Sequence, residues 1–262
     1  MAKKKPTKQS PLKDRPLRNP GQSLDEEIER QFDDEAMPYF VVSLGTLILA
    51  GMEWWRFVHP SPPKPWMYTI FAAIVIGYST FRMVKAVRRV RAMKLGRDGE
   101  KVVGQFLEDL RAKGAMVFHD IPANGFNVDH IVISPKGIYV IETKTYSKPK
   151  GREATVRYDG VKLTVNGKVP DRDPVKQVQA ITTWVKTLLA ESTGKAFAVK
   201  PVVVFPGWYV ETVHTAAHDK VWVLNPKGLP SFIQNDRGEL APEDVNLAAY
   251  HLSRYIRSVD PK

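Results

Sequence analysis

Three charged residues interrupt an otherwise apolar stretch of the chain. They are Asp129, Glu142 and Lys144 in "NVDHIVISPKGIYVIETKTY", residues 127–146. Charges in a half-buried strand pair are costly unless they are paired or put to use. Side chains along a strand alternate between faces. Ile138, Val140, Glu142 and Lys144 therefore share one face of the second strand, and Asp129, Ile131 and Ile133 share one face of the first. With Pro135 and Lys136 as the loop, Ser134 opposes Gly137, Ile133 meets Ile138, Ile131 meets Val140 and Asp129 meets Glu142. Lys144 follows one pleat further on. Directly opposed side chains stand about 5 Å apart at Cβ, where like charges repel. A hard divalent cation such as Mg²⁺ relieves that repulsion, because it takes oxygen ligands and keeps several waters.

Two considerations weigh against this reading. Pro at the second and Gly at the fourth turn position favour a type I turn, which two-residue hairpin loops disfavour, and a bulge would shift the register by one. Lys144 and neighbouring basic side chains would also neutralise the two acids as a plain exposed ion-pair cluster, with no catalysis involved.

The elements that must position these residues begin at Gly96. "DGEKVVGQFLEDLRAKG" sets Val102, Val103, Phe106, Leu107 and Leu110 at helical spacing, with Gly114 at its end. "AMVFHDI" predicts a strand before the hairpin, and "EATVRYDGVKLTVNG" predicts a second hairpin turning at Asp159-Gly160. "DPVKQVQAITTWVKTLLAES" predicts a helix with Pro174 near its start. "AVKPVVVFPG" and "KVWVL" predict buried strands, and "APEDVNLAAYHLSRYIRSV" a closing amphipathic helix with Pro242 in its first turn.

In this frame the string meets a family. Asp129, then Glu142-Thr143-Lys144, resembles the D…(D/E)-x-K core of the restriction-endonuclease-like nucleases. The similarity is closer to one branch, the nuclease-related domain. That branch opens with G-x-x-G-E on a helix, here "GRDGE" from Gly96 to Glu100. It continues with a D-H pair, here "VDHIVI", then "GIYVIETK", and later a helix opening with Pro and Gln, here "DPVKQ". The family pattern usually has Asn before that Pro; Asp173 stands there in this chain. The resemblance spans roughly residues 95–205. It implies a mixed α/β sheet flanked by helices and metal-dependent hydrolysis of phosphodiester bonds in DNA or RNA. Asp129 and Glu142 would hold Mg²⁺ or Mn²⁺. Lys144 would position or deprotonate the attacking water, or offset charge growing on the phosphate.

The resemblance gives Glu100 a share in holding metal or water. The alternative is an acid satisfying a helix N-terminus. Gln177 shares a helical face with Ile181, Trp184 and Leu188. It points inward, to orient Lys144 or a phosphate, or to bond backbone. His130 follows Asp129, falls on the opposite face and reads as a packed or hydrogen-bonded histidine. His214 and His218, four apart, lie in a stretch without helical period and do not read as a metal pair. Asp171 and Asp173 read as loop and helix start.

The N-terminal third differs in kind. Of the net charge of +11, residues 1–97 carry 17 basic and 9 acidic side chains, and residues 98–262 carry 22 and 19. The basicity that would invite a nucleic-acid reading thus lies mostly outside the α/β domain. Residues 1–36 read as a disordered charged tail, with the acidic stretch 24–35 forming a short helix or nothing stable. Two apolar stretches follow, at about 37–57 and 66–84, each near the length of a membrane-spanning helix. Trp54, Trp55 and Trp66 flank the Pro-rich break between them. Residues 82–97 hold seven basic residues and no acid. The positive-inside rule places them in the cytoplasm, with the N-terminus and the domain 98–262 on the same side of a bacterial-type inner membrane. The basic run, a juxtamembrane helix over 85–97, either holds anionic lipid headgroups or only sets orientation. The chain has no cysteine, which excludes disulfides, thiol nucleophiles and Cys-based zinc sites. Two functional readings stand: a membrane-anchored nuclease, and a membrane-tethered nucleic-acid-binding or protein-interaction module that keeps the fold without turnover.

Overall fold

β-Branched runs that are apolar on both faces form the centre of a sheet covered on both sides. In the computed structural model, which describes residues 17–59, 65–148, 154–212 and 220–259, five strands do this. β1 (Met116–Pro122), β2 (Asn127–Ser134) and β3 (Gly137–Thr143) are antiparallel neighbours. β6 (Val199–Val204) and β8 (Trp222–Leu224) continue the sheet in parallel, in the order β1-β2-β3-β6-β8. A smaller sheet of β4 (Thr155–Tyr158), β5 (Leu163–Val165) and β7 (Tyr209–Thr212) has the order β5-β4-β7. One face of the large sheet packs with α4 (Pro174–Thr193) and α6 (Pro242–Val259) around Ile131, Ile133, Ile138, Val140, Val178 and Leu252. The other face packs Val132, Tyr139, Ile141 and Val202 with Val103 and Leu107, and with Leu229 and Ile233 of α5 (Leu229–Gln234).

Every predicted strand and helix of this unit is found, and two further elements are present. β7 and α5 are short, and β7 carries two polar residues in four, so neither has a readable period. The partner of β7, β4, is remote in sequence, and α5, close behind β8, is too short for a period to be counted. The stretch with His214 and His218 lies outside the described residues.

The chain divides into two compact units, Gly21–Asp98 and a second that joins Gly99–Lys262 to the N-terminal segment ending at Pro20. The first unit contains α1 (Gln22–Gln31), a five-residue π turn (Phe32–Ala36), α2 (Met37–Val58) and residues 65–98 of α3 (Pro65–Arg111). This corrects two expectations. Residues 22–36 are helical, not a disordered tail. The second apolar stretch, the basic run and the first helix of the α/β domain are one helix of 47 residues. The reason for the first correction is non-local. Asp25 pairs with Arg97 at 2.9 Å, Gln31 accepts from Arg89 at 3.5 Å, and Glu27 pairs with Arg30 within the helix. The acidic helix is held by the basic one, 72 residues away in sequence.

Gln22–Val58 and Pro65–Arg111 are two helices long and apolar enough to cross a membrane, by length and composition. Phe40, Leu47, Ile48, Trp55, Phe71 and Ile74 are exposed. Within the first unit, small or polar buried positions recur every seven residues: Thr46 and Glu53 on α2, Ala72, Ser79 and Ala86 on α3. That period is the one a helix–helix seam uses, and Tyr39 meets Tyr78 edge-on and Arg82 between the two helices.

Candidate active site

The hairpin keeps the register that places the acids together. Ser134 faces Gly137, Ile133 faces Ile138, and Ile131 faces Val140, down to His130 and Ile141. One residue further, the same register sets Asp129 against Glu142. Here the backbone ladder ends and a side chain continues it: the Thr143 amide donates to Asp129 Oδ2 at 2.7 Å. The tight turn survives without a bulge because Gly137 takes a positive φ of 141°.

Glu142 is 3% exposed. Its Oε1 accepts from Lys144 Nζ at 2.7 Å and from Gln177 Nε2 at 2.7 Å. Its Oε2 is buried with no hydrogen-bond partner. Gln177 reaches it from the first turn of α4, which Asp173 caps by accepting from the amides of Val175 and Lys176. Aspartate does this capping work as well as asparagine, so the departure from the family pattern at this position is structurally neutral. Gln177 thus points inward as expected, and the group it bonds is the Glu142 carboxylate.

Glu100 is buried on α3, on the same helix as the buried Val103 and Leu107. The preceding residue explains its approach. Gly99 lies so close to Thr145 that a Cβ would collide with Oγ1. The second glycine of "GRDGE" therefore lets the helix come down on the end of β3, and the charge of Glu100 reaches Asp129.

Burial pushes the Asp129 carboxyl well above the usual range, and the charges of Glu142 and Glu100 push it further. The Thr143 amide and Lys144 only partly oppose this. Burial also raises Glu142 against the pull of Lys144. Burial would lower the Lys144 ammonium, but the charge and hydrogen bond of Glu142, with Asp129 behind, hold it above its usual value. Lys144 is therefore held as a cation beside Glu142 and Asp129, and the Lys144–Glu142 pair is not an exposed cluster: its side chains are 23% and 4% exposed.

Among the described residues no three His, Asp or Glu side chains stand together as a ready metal cage. Mg²⁺ does not need one. It is usually held by one or two carboxylates and completes its shell with waters and substrate phosphates. The all-oxygen donors of Asp129 and Glu142, and the orphaned, buried Glu142 Oε2, fit that pattern.

Two features escaped the sequence. His130 packs as expected on the opposite face, but its Nδ1 meets His119 Nδ1 at 2.9 Å. Their cross-strand pairing would have revealed it once the register of β1 was known. Asp120, which the β1–β2 register sets opposite Asp129, takes a φ of 49°. Its carboxylate binds Arg18 Nε at 2.9 Å and Asn127 Nδ2 at 3.1 Å. A third acid thus has other partners.

Residues 95–206 match the family model of the nuclease-related domain. The nuclease-related domain match covers less than half the chain and takes in Glu100, Asp129, Glu142, Lys144 and Gln177. It implies a nuclease-like function and an interaction with nucleic acid. No curated protein matches the chain. The solved structure of SfsA from Pyrococcus furiosus in complex with Ca²⁺ is similar at 14% identity, over 47% of this chain and 52% of that one, with a TM-score of 0.26. The chain thus spans about half the length of that protein, and so loose a superposition says nothing about the site.

Proposed function

We propose that the unit containing Gly99–Lys262 is a metal-dependent nuclease, carried on two membrane-spanning helices, that hydrolyses phosphodiester bonds of DNA or RNA at the cytoplasmic face of a bacterial-type inner membrane. The observation that carries this reading is Glu142. It is a buried carboxylate with one oxygen held by Lys144 and Gln177, the other without a partner, and Asp129 across the strand pair.

Asp129 and Glu142 would hold Mg²⁺ or Mn²⁺ with Glu100 in electrostatic reach, and the chemistry such an ion supplies is a polarised phosphoryl oxygen and a bound water of lowered pKa. Lys144 is locked as a cation one pleat from Glu142. It stabilises charge growing on the phosphate, and its fixed ammonium costs no reorganisation. Gln177 keeps Glu142 in one rotamer. The buried walls of β2 and β3 strengthen each of these interactions by excluding water.

The membrane part of the reading rests on the exposed apolar side chains of α2 and α3. Lys85, Arg88, Arg91 and Lys94 are exposed along the basic run and suit anionic lipid headgroups. Arg82 lies over Tyr39 and Arg97 pairs with Asp25, so not all seven basic residues serve the lipid.

The test is cleavage by the full chain in detergent, with Mg²⁺, against single-stranded and duplex DNA and RNA. Cleavage should stop with a chelator and fall by about 10²–10⁴ in Asp129→Ala. Cleavage that persists at the wild-type rate in Asp129→Ala, or a wild-type chain inert on all four substrates, overturns the reading.

A further inference from the structure

We infer that the outward face of the β4–β5 hairpin is the track along which a polynucleotide strand runs away from the catalytic carboxylates. The inference rests on the nuclease reading and adds where its substrate lies. A cavity of about 840 Å³ opens beside Tyr146, two residues beyond Lys144. Lys144 itself is bonded to Glu142, so the cavity opens where the segment carrying both residues continues. From Tyr146 the cavity extends over Thr155, Arg157, Thr164 and Lys168.

Strand alternation explains the lining. Val156 and Tyr158 point into the core, so Thr155 and Arg157 point outward. Thr164 pairs with Arg157 across β4 and β5 and joins that face. Lys168 arrives by a separate device. Asn166 and Gly167 both take positive φ, 49° and 77°, as a tight two-residue hairpin turn requires. Val165 and Lys168 then exchange both backbone hydrogen bonds, at 2.8 and 3.0 Å. The turn folds Lys168 back beside β5 and presents its ammonium on a rigid support.

The chemistry of the lining selects an anionic chain. It offers two cations, hydroxyl groups, an amide and an aromatic ring, and no carboxylate. The adjoining cavity on the β7 side holds Asp159 and Glu211, and the cavities beside β8 and around Arg18 hold Asp236 and Glu108. Arg157 does pair with Glu211, but its side chain is 72% exposed. An exposed pair of that kind holds weakly, and a phosphate can replace the carboxylate as partner.

The experiment measures binding apart from cleavage. The full chain in detergent, with chelator present, is titrated against fluorescent single-stranded and duplex DNA and RNA over a range of salt. Lys168→Glu/Arg157→Glu should bind about tenfold or more weakly. Its salt slope should be shallower by about 0.7 per lost phosphate contact on single strands or about 0.9 on duplex. The same substitutions should move the unfolding midpoint little, by no more than the small cost of a second exposed carboxylate opposite Glu211. Lys227→Glu, an exposed position just before α5, should keep affinity within about twofold. An unchanged double variant, or equal damage from Lys227→Glu, overturns the track. If the wild-type chain still cleaves with Mg²⁺ in that event, the nuclease reading stands without it; a wild-type chain that neither binds nor cleaves removes both.

Discussion

Glu142 gathers the site around a single side chain. One oxygen takes both Lys144 and Gln177, so removing either donor leaves the other to hold a buried charge. Gln177→Ala should lower metal-supported cleavage about 10–100-fold, the usual loss when a residue orienting a ligand is removed, with Mg²⁺ affinity falling in step by calorimetry. Lys144→Met should cost more, because it removes the site's own cation and raises Glu142 further; a variant cutting at the wild-type rate would exclude Lys144 from the chemistry. His119 gives a prediction in pH. Burial lowers its imidazole, Arg111 adds to that, and Glu108 and Asp120 oppose it. His130 faces it, is itself lowered by burial and by His119, and cannot be protonated alongside it at 2.9 Å. The folded state holds both rings neutral, while the unfolded chain takes up protons near pH 6.5. Stability should therefore be level above about pH 6.5 and fall below it, by at most about 1.4 kcal/mol per pH unit per proton. Urea midpoints between pH 7.5 and 5.5 would show this, and His119→Gln should flatten the curve. At this scale the acid pair was legible because a strand's period of two can be counted. The Thr143 amide on Asp129 and the His119–His130 contact were not, because each depends on where a ladder ends or which strand lies alongside.

At the scale of elements, the long α/β segments were readable from period and punctuation. Apart from the short α5, the unreadable parts share one cause, a partner far away in sequence. α1 is acidic and reads as a tail until the basic stretch of α3 is set beside it. Arg18 reads as one more charge in a basic N-terminus, yet it is 6% exposed and bonds Asp120 across 102 residues. Pro20 packs so tightly on Gly104 of α3 that a Cβ there would collide with its ring. The N-terminal segment is therefore tied both to the edge strand β1, through Asp120, and to α3. Arg18→Ala should destabilise this unit by up to about 3–5 kcal/mol, the cost of breaking a buried ion pair from one side. Asp120→Ala in the same background should add less than it costs alone. Thermal unfolding of the two single variants and the double one measures the coupling, and strictly additive losses would mean the pair does not act as one.

For the molecule as a whole, the ion pair constrains topology independently of charge counting. Arg18 and Asp120 belong to one unit, and the two apolar helices lie between them in sequence. A segment that leaves that unit and returns to it crosses a bilayer an even number of times. The chain has no native cysteine, so single cysteines at Ser10, Ser61 and Ser258 can be labelled in sealed vesicles with an impermeant thiol reagent. Positions 10 and 258 should react from one side and position 61 from the other; opposite sides for 10 and 258 would break the two-span topology. The same ion pair also orders events during synthesis. Arg18 leaves the ribosome roughly 5–20 s before Asp120 at ordinary elongation rates. Both apolar helices emerge within that interval, and Asp129 and Glu142 only after it. On the proposed reading, both candidate spans are thus available to the membrane while the carboxylates assigned to cutting have yet to be translated.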